Sequence, residues 1–305
     1  CHAFFYPKIK MTKNKNQHYL PAFYLYNFTN GKQKSESKGK PNRETKIHHY
    51  DFDKKCLKER PIEKVAIKSY LFSYKNIDGS YNHSLDSELQ EVETKAAKAI
   101  EYLNDILKFA LRKKPMAVKI KNSVIDDVME LLFWQIKRHP EIVNKLERDC
   151  EHYLIEKGET IQIAKQIALK VIKKMGDSGG VYDIKNELQK KNKIILCTST
   201  NNAHFITSDK PFVRFNKKGK NGIAVPGTEM YFPITSNMLL FMNGNGNRKE
   251  FRLENHRKVL RDLNTYIAKS ASKYLFGPSK TYLERIVKYI GQPCTETKNK
   301  SVIFS

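Results

Sequence analysis

The chain has 305 residues, 40% hydrophobic and 29% charged, with a formal net charge of +24. That is enough apolar material for one large domain or two closely packed ones. No apolar run approaches the roughly 18–20 residues needed to span a bilayer, so a membrane partner is not expected.

The five cysteines, Cys1, Cys56, Cys150, Cys197 and Cys294, are odd in number, widely spaced and free of any C-x-x-C pair. This argues against a disulfide framework and against a structural zinc site. The start of the chain shows no basic segment, apolar segment and cleavage site in succession, so a cytoplasmic location is expected. A basic excess is the footprint of nucleic-acid binding through phosphate neutralisation. Here it is mostly lysine beside abundant Asn and Ile, which an AT-rich genome also produces, so charge alone leaves both readings open.

In chain order, residues 1–15 read as a flexible or non-native leader, with Met11 placed like a natural start. Residues 16–28, NQHYLPAFYLYNF, form the densest aromatic run near the N-terminus, and Pro21 fixes their backbone early. Tyr19, Phe23, Leu25 and Phe28 can then reach one core. A polar loop spans 30–45, and 46–52, KIHHYDF, reads as a strand with Ile47, His49 and Asp51 on one face. Ser84 reads as the N-cap of a long helix in which Leu85, Leu89, Val92, Ala96, Ala99, Ile100, Leu103, Ile106 and Leu107 recur at helical spacing. Further helices are expected over 123–138, 140–156, 160–175 and 185–191, with His139–Pro140 breaking the first from the second.

The period then switches. Short strands are expected over 194–198, 204–207, 212–215, 230–234 and 238–242, a tight turn at NGNGN (243–247), and closing helices over 257–272 and 279–290. The whole reads as a single α+β domain over 16–291, helical at about 84–191 and strand-rich at about 192–253, with a loose tail over 292–305. The expected architecture is a central helical bundle packed on a mostly antiparallel sheet, built from N-terminal and C-terminal strands and closed by C-terminal helices.

Several motifs weaken on inspection. GDSGG at 176–180 matches the trypsin-like nucleophile motif, but the preceding residues are helical and no His segment suits it. It reads better as a helix ending at Gly176. His49, Asp51 and Asp53 share a strand face and suit a metal less well than a polar surface. The loop 217–222 fits no phosphate-binding pattern. Gln135 and Arg138 stand three apart on one face of an apolar helix beside Trp134, where Arg138 is either a surface charge or a carboxylate clamp. Thr207, Ser208 and Asp209 end a strand before Pro211, which serves a turn as well as a site.

Taken together, Gln17, His18, Tyr19, Leu20 and Pro21, then Phe23, Tyr24, Leu25 and Phe28, resemble the QHYVPxFYLxxF opening of a bacterial family, domain of unknown function 4238. The resemblance continues through Tyr50–Asp51, the Ser84–Leu85–Asp86 helix start with Glu93, Gln135 with Arg138, and the segment Phe205, Ile206, Thr207, Ser208, Asp209, Lys210, Pro211. It ends with Phe232, Pro233, Ile234, Thr235 and Asn264. Leu20 stands where Val is commoner. The family carries no established reaction. What the resemblance implies is one shared polar site assembled from its Gln-His, Glu, Gln/Arg and Ser-Asp positions.

Three functions are compatible with that site. The first is a nuclease-like hydrolase cleaving phosphodiesters in RNA or DNA, as a toxin or phage-defence effector. His18 would be the general acid/base, Arg138 would stabilise the anionic transition state, and Asp209 would orient His18 or hold a divalent cation. Gln17, Gln135 and Ser208 would bind substrate, with Glu93 in support. The second is a non-catalytic module that binds nucleic acid or a small anion through Arg138 and Ser208–Asp209. The third is a purely structural hydrogen-bond network.

Overall fold

In a computed structural model of the chain, the described residues are 15–30, 45–112, 120–176, 183–199 and 204–292. Residues 1–14 of the leader, most of the loop expected at 30–45, residues 177–180 of GDSGG and the tail from 293 lie outside them.

The N-terminal strand β1 (Asn16–His18) pairs antiparallel with β4 (Ile67–Ser69), and Pro21 then caps the short helix α1 (Ala22–Tyr26), which buries Tyr24, Leu25 and Tyr26. Proline suits this place because its ring fixes φ, here −55°, while its carbonyl accepts the Leu25 N–H at 3.0 Å. Strands β2 (Lys46–Asp51) and β3 (Cys56–Pro61) form a hairpin in which Ile47, His49 and Asp51 share one face, as alternation requires, and that face is buried rather than the polar surface expected of His49 and Asp51. A second small hairpin joins β5 (Tyr74–Lys75) and β6 (Tyr81–Asn82).

The helical middle follows the apolar period closely. It comprises α2 (Ser84–Arg112), α3 (Asn122–Lys137), α4 (Pro140–Glu156), α5 (Ala164–Lys174) and α6 (Ile184–Gln189). Ser84 is already helical, and its N–H is taken by the Asn82 side chain. The helix α5 stops at Lys174, and Gly176 follows at φ +79°. A Cβ there would lie 3.0 Å from the Phe133 ring, so glycine is required both for the left-handed turn and for the close approach.

The back half holds β7 (Lys191–Cys197), β8 (Thr207–Ser208), β9 (Val213–Phe215), β10 (Glu229–Thr235), β11 (Met238–Asn245), β12 (Lys249–Leu253) and β13 (Tyr274–Gly277), with helices α7 (Arg257–Ser270) and α8 (Lys280–Ile286). The strands do not make one sheet. A five-stranded sheet runs β12-β7-β11-β10-β9, with β12 parallel to β7 and the other neighbours antiparallel. A four-stranded antiparallel sheet runs β3-β2-β13-β8 and joins the N-terminal hairpin to C-terminal strands. The strands β3, β12 and β13 are absent from the sequence reading. CLKERP and KEFRL are too charged for an apolar-run criterion, and YLFG begins just after the closing helix expected over 257–272.

The five-stranded sheet explains the continuous apolar runs. Ile195, Cys197, Phe232, Leu240 and Met242 join a core with α1 to α6, while Ile194, Leu196, Tyr231, Leu239 and Phe241 join a second core with α7 and α8. A sheet covered on both faces needs apolar side chains at successive positions, so IILC and MLLFM carry no alternation. Each large side chain buried in this way contributes about 1.5–3 kcal/mol.

Candidate functional site

The α3–α4 junction sets the site. His139 precedes a proline, which disfavours helical backbone, and it sits at φ −64°, ψ 138° as the N-cap of α4. Arg138 therefore leaves the helix at φ −90°, ψ 0°, and its side chain is buried. Its Nη1 donates to Glu93 Oε1 at 2.9 Å, its Nη2 donates to the backbone carbonyl of His18, and its guanidinium lies 5.3 Å from the centre of the Phe72 ring. Arg138 Nε and both amide atoms of Gln135 are buried without a hydrogen-bond partner among the described residues.

Around this arginine the N-terminal segment and the start of α2 converge. The Oε1 atom of Gln17 accepts the Phe72 N–H at 2.7 Å, and its Nε2 donates to Ser73 Oγ at 2.7 Å. Ser73 Oγ in turn lies 2.8 Å from His83 Nδ1, a hydroxyl–imidazole pair in which either atom can be the donor. Asp86, three residues further on, is pushed above the usual carboxylate range by burial, with Arg138, Gln17 and His83 pulling it back. Burial raises Glu93 in the same way, against the pull of Arg138. Gln17 and Ser73 are buried, whereas His83 and Asp86 are half-buried, so the cluster reaches solvent through His83 and Asp86.

The imidazole of His18 is not part of this cluster. Strand alternation sends it to the opposite face of β1 from Gln17. Its Nε2 donates to the Ile62 carbonyl at 3.2 Å. Burial, which the Ile62 hydrogen bond opposes and the Arg138 charge reinforces, holds its pKa below the ordinary 6.5. A ring that donates through Nε2 and is held neutral keeps its lone pair on Nδ1.

Asp209 lies in a neighbouring cluster. Its carboxylate accepts from the Ser272 N–H at 3.1 Å, Ser272 Oγ at 2.6 Å and the Lys273 N–H at 3.0 Å, and it lies 3.6 Å from His139 Nε2. Burial pushes this carboxyl up, but hydrogen bonds from His139 and Ser272 prevail and hold it below the usual range. His139 Nδ1 accepts the Glu141 N–H, which leaves Nε2 to carry the proton toward Asp209. The imidazole at Asp209 is thus that of His139, and the expected orientation of His18 by Asp209 is replaced by this pair. Ser208 is fully buried and accepts the Lys210 N–H at 3.2 Å as ordinary turn chemistry. Thr207, beside it, is hydrogen-bonded to Tyr24 at 2.8 Å.

The sequence positions therefore fall into two clusters joined by the Arg138–His139 dipeptide. Gln17, Glu93 and Arg138 meet with the carbonyl of His18; Asp209 stands in the other. Ser73, His83, His139 and Ser272 were absent from the expected site. Ser73 sits in an aromatic segment, His83 precedes a helix start, and His139 reads as the residue before a helix-breaking proline. A cavity of about 480 Å³ lies elsewhere, lined by Val92, Asp126, Glu130, Phe133 and Lys185 among others. Helical phase places Asp126 opposite Gln135, so this cavity does not include the site. Among the described residues, no three His, Cys, Asp or Glu side chains are grouped to hold a metal, and no helix is long and apolar enough to cross a membrane.

A family model described as "Protein of unknown function (DUF4238)" matches residues 16–281. No curated protein and no solved structure matches the chain.

Proposed function

The chain belongs to the DUF4238 family, and on that premise we propose that it is a hydrolase of phosphodiester bonds in RNA or DNA, working at the solvent-reaching end of the Gln17 cluster. One observation carries the reading: His83 Nδ1 lies 2.8 Å from Ser73 Oγ, with Asp86 at the same opening. An imidazole is suited to moving a proton near neutrality, and a carboxyl raised by burial holds its proton longer than a free one. His83 acts as the general acid/base. Asp86 steadies the imidazole and shares its proton traffic, and Gln17 holds Ser73 in place. Arg138, already neutralised by Glu93 and tied to the His18 carbonyl, positions these elements; it is not an open clamp for phosphate. The net charge of +24 supports a polyanionic substrate. Exposed Lys15, Lys64 and Lys68 lie close in sequence to β1 and β4. The free thiols of Cys56, Cys150 and Cys197 support a reducing, cytoplasmic setting.

The test is incubation of purified protein with end-labelled RNA and DNA, with and without Mg²⁺ or Mn²⁺. The expected result is cleavage that falls about 10²–10⁴-fold in His83→Ala at unchanged melting temperature. Absence of cleavage, or a His83→Ala variant that cleaves like wild type, overturns it.

A second, non-catalytic reading is favoured by the buried, doubly engaged guanidinium of Arg138. In that case Gln17, Glu93 and Arg138 hold the N-terminal segment against α2 and α3 and nothing more. His83→Ala would then lower the melting temperature, and no substrate would be turned over.

A further inference from the structure

The hairpin β5–β6 carries a surface that neither core uses. In its register Lys75 faces Tyr81. Side chains two apart on a strand share a face, so Ser73, Lys75, Tyr81 and His83 lie on one side of the hairpin. The Ser73–His83 hydrogen bond at 2.8 Å agrees with that placement. This side leads outward from the buried amide of Gln17, through Ser73 and His83, to the ring of Tyr81.

Tyr81 does not end the strip. Its ring lies against that of Tyr70 with centroids 3.9 Å apart and planes 7° apart, and His83 follows at 6.2 Å and 29°. Tyr81 is 38% exposed, and neither Tyr70 nor Tyr81 belongs to either apolar core. Tyr70 is also held at φ +50°, a left-handed conformation that disfavours a residue with a side chain. Its N–H bonds to the Lys15 carbonyl at 2.8 Å, and its own carbonyl accepts the Ser73 N–H at 3.3 Å. A strained backbone that presents an aromatic stack outside the core is a feature of binding surfaces more than of folding.

We propose that Tyr70 and Tyr81 form a stacking platform for a nucleobase of single-stranded nucleic acid, at the mouth of the His83 site. The inference rests on the hydrolase reading for its location and adds the substrate form. Every base has a π-face, so aromatic stacking captures an unpaired strand with little regard to sequence, and a paired duplex cannot offer a splayed base. Lys75 shares the face with Tyr81, Lys68 stands two residues before Tyr70, and the Lys15 carbonyl accepts the Tyr70 N–H; all three lysines are exposed and serve the phosphates. Asp78, in the turn, is occupied by Ser80, whose hydroxyl and N–H it accepts at 2.6 and 2.9 Å.

The experiment is fluorescence anisotropy with a fluorescein-labelled, phosphorothioate-linked single-stranded oligonucleotide of mixed sequence, beside the same sequence as a duplex. Wild type should prefer the single strand. Tyr81→Ala should weaken single-strand binding about tenfold and leave weak duplex binding unchanged. Tyr81→Trp should retain the affinity, and its indole emission should be quenched when the single strand binds. Thermal melts of both variants report folding. Binding by Tyr81→Ala equal to wild type, equal affinity for duplex and single strand, or no oligonucleotide binding by wild type overturns the platform. So does loss of binding in both variants with wild-type melts. Tyr81-dependent binding without cleavage of an ordinary phosphodiester strand would leave the platform standing and sink the hydrolase reading alone.

Discussion

The guanidinium of Arg138 stands 2.9 Å from the carboxylate of Glu93, and its side chain is only 3% exposed. On this strongly basic chain, one of the most deeply placed positive charges is matched inside the molecule. It closes the N-terminal segment onto two helices through the His18 carbonyl.

Breaking a buried pair strands a charge, which costs about 3–5 kcal/mol. Arg138→Ala should therefore lower the unfolding free energy by about that amount in a urea titration. The double variant Arg138→Met with Glu93→Leu should lose less than Arg138→Ala, because no charge remains unpaired. A loss in the double variant as large as the sum of the two single changes would show that the charges do not act as a pair.

His18 gives the fold a dependence on pH. Its folded pKa is depressed, so its contribution is present above the unfolded value of 6.5 and is lost as pH falls through the folded value. Asp86 and Glu93 act in the opposite sense, because their raised values favour the fold at low pH and lose that contribution as pH rises. The melting temperature should fall on acidification below pH 6.5, and His18→Gln, which can still donate to Ile62, should flatten that slope while leaving the carboxylate contributions. An unchanged slope in the variant would assign the dependence elsewhere.

Asp209 contributes on the same side of the pH scale but lower. Its depressed pKa favours the fold above the unfolded value of 3.8, and the contribution is lost as pH falls through the folded value. Asp209→Asn replaces a charged acceptor and turns an amide N–H₂ toward donors. It should cost about 2–3 kcal/mol at pH 7, in the range for a hydrogen bond to a charged group. Hydrogen exchange should show the loss first at the Ser272 and Lys273 amides, both of which bond to this carboxylate.

Tyr24 links the two ends of the family signature. Its hydroxyl is hydrogen-bonded to Thr207 Oγ1 and donates to the Pro233 carbonyl, both at 2.8 Å. Tyr24→Phe keeps the ring but leaves the buried Pro233 carbonyl without this donor and the Thr207 hydroxyl without this acceptor, at about 1–3 kcal/mol. Thr207→Val alone should cost less, since the Pro233 bond survives. Chemical denaturation of the two variants ranks them.

Much of the local structure was legible in particular residues. Leu85, Leu89, Ala96 and Leu103 announced α2 by their spacing, His139–Pro140 announced the break, and alternation put Ile47, His49 and Asp51 on one face of β2, although the polarity of His49 and Asp51 pointed to a surface that the structure buries. Each depends on a period of 3.6 or 2 within one element, or on proline sterics, and so needs no knowledge of the rest of the chain. The family was legible too, because its opening signature is a contiguous run.

The assembled site was not legible in this way. Nothing in the sequence marked Asn16–His18 as a strand, so the opposite directions of Gln17 and His18 could not be read from it. They were decided by the pairing of β1 with β4, whose register brings Gln17 to Phe72 and Ser73. Nothing near Asp209 in the chain indicated Ser272, and nothing near Tyr24 indicated Thr207, which is 183 positions away. The sequence by itself determined the α+β class, the long helices, the apolar strands of the back half and the family. The tertiary structure alone decided that the imidazole beside Gln17 and Ser73 is that of His83, that the one beside Asp209 is that of His139, and that Arg138 is matched by Glu93. Periodicity specifies which face of an element is buried, whereas hydrogen-bond and ion-pair partners depend on how separate elements dock.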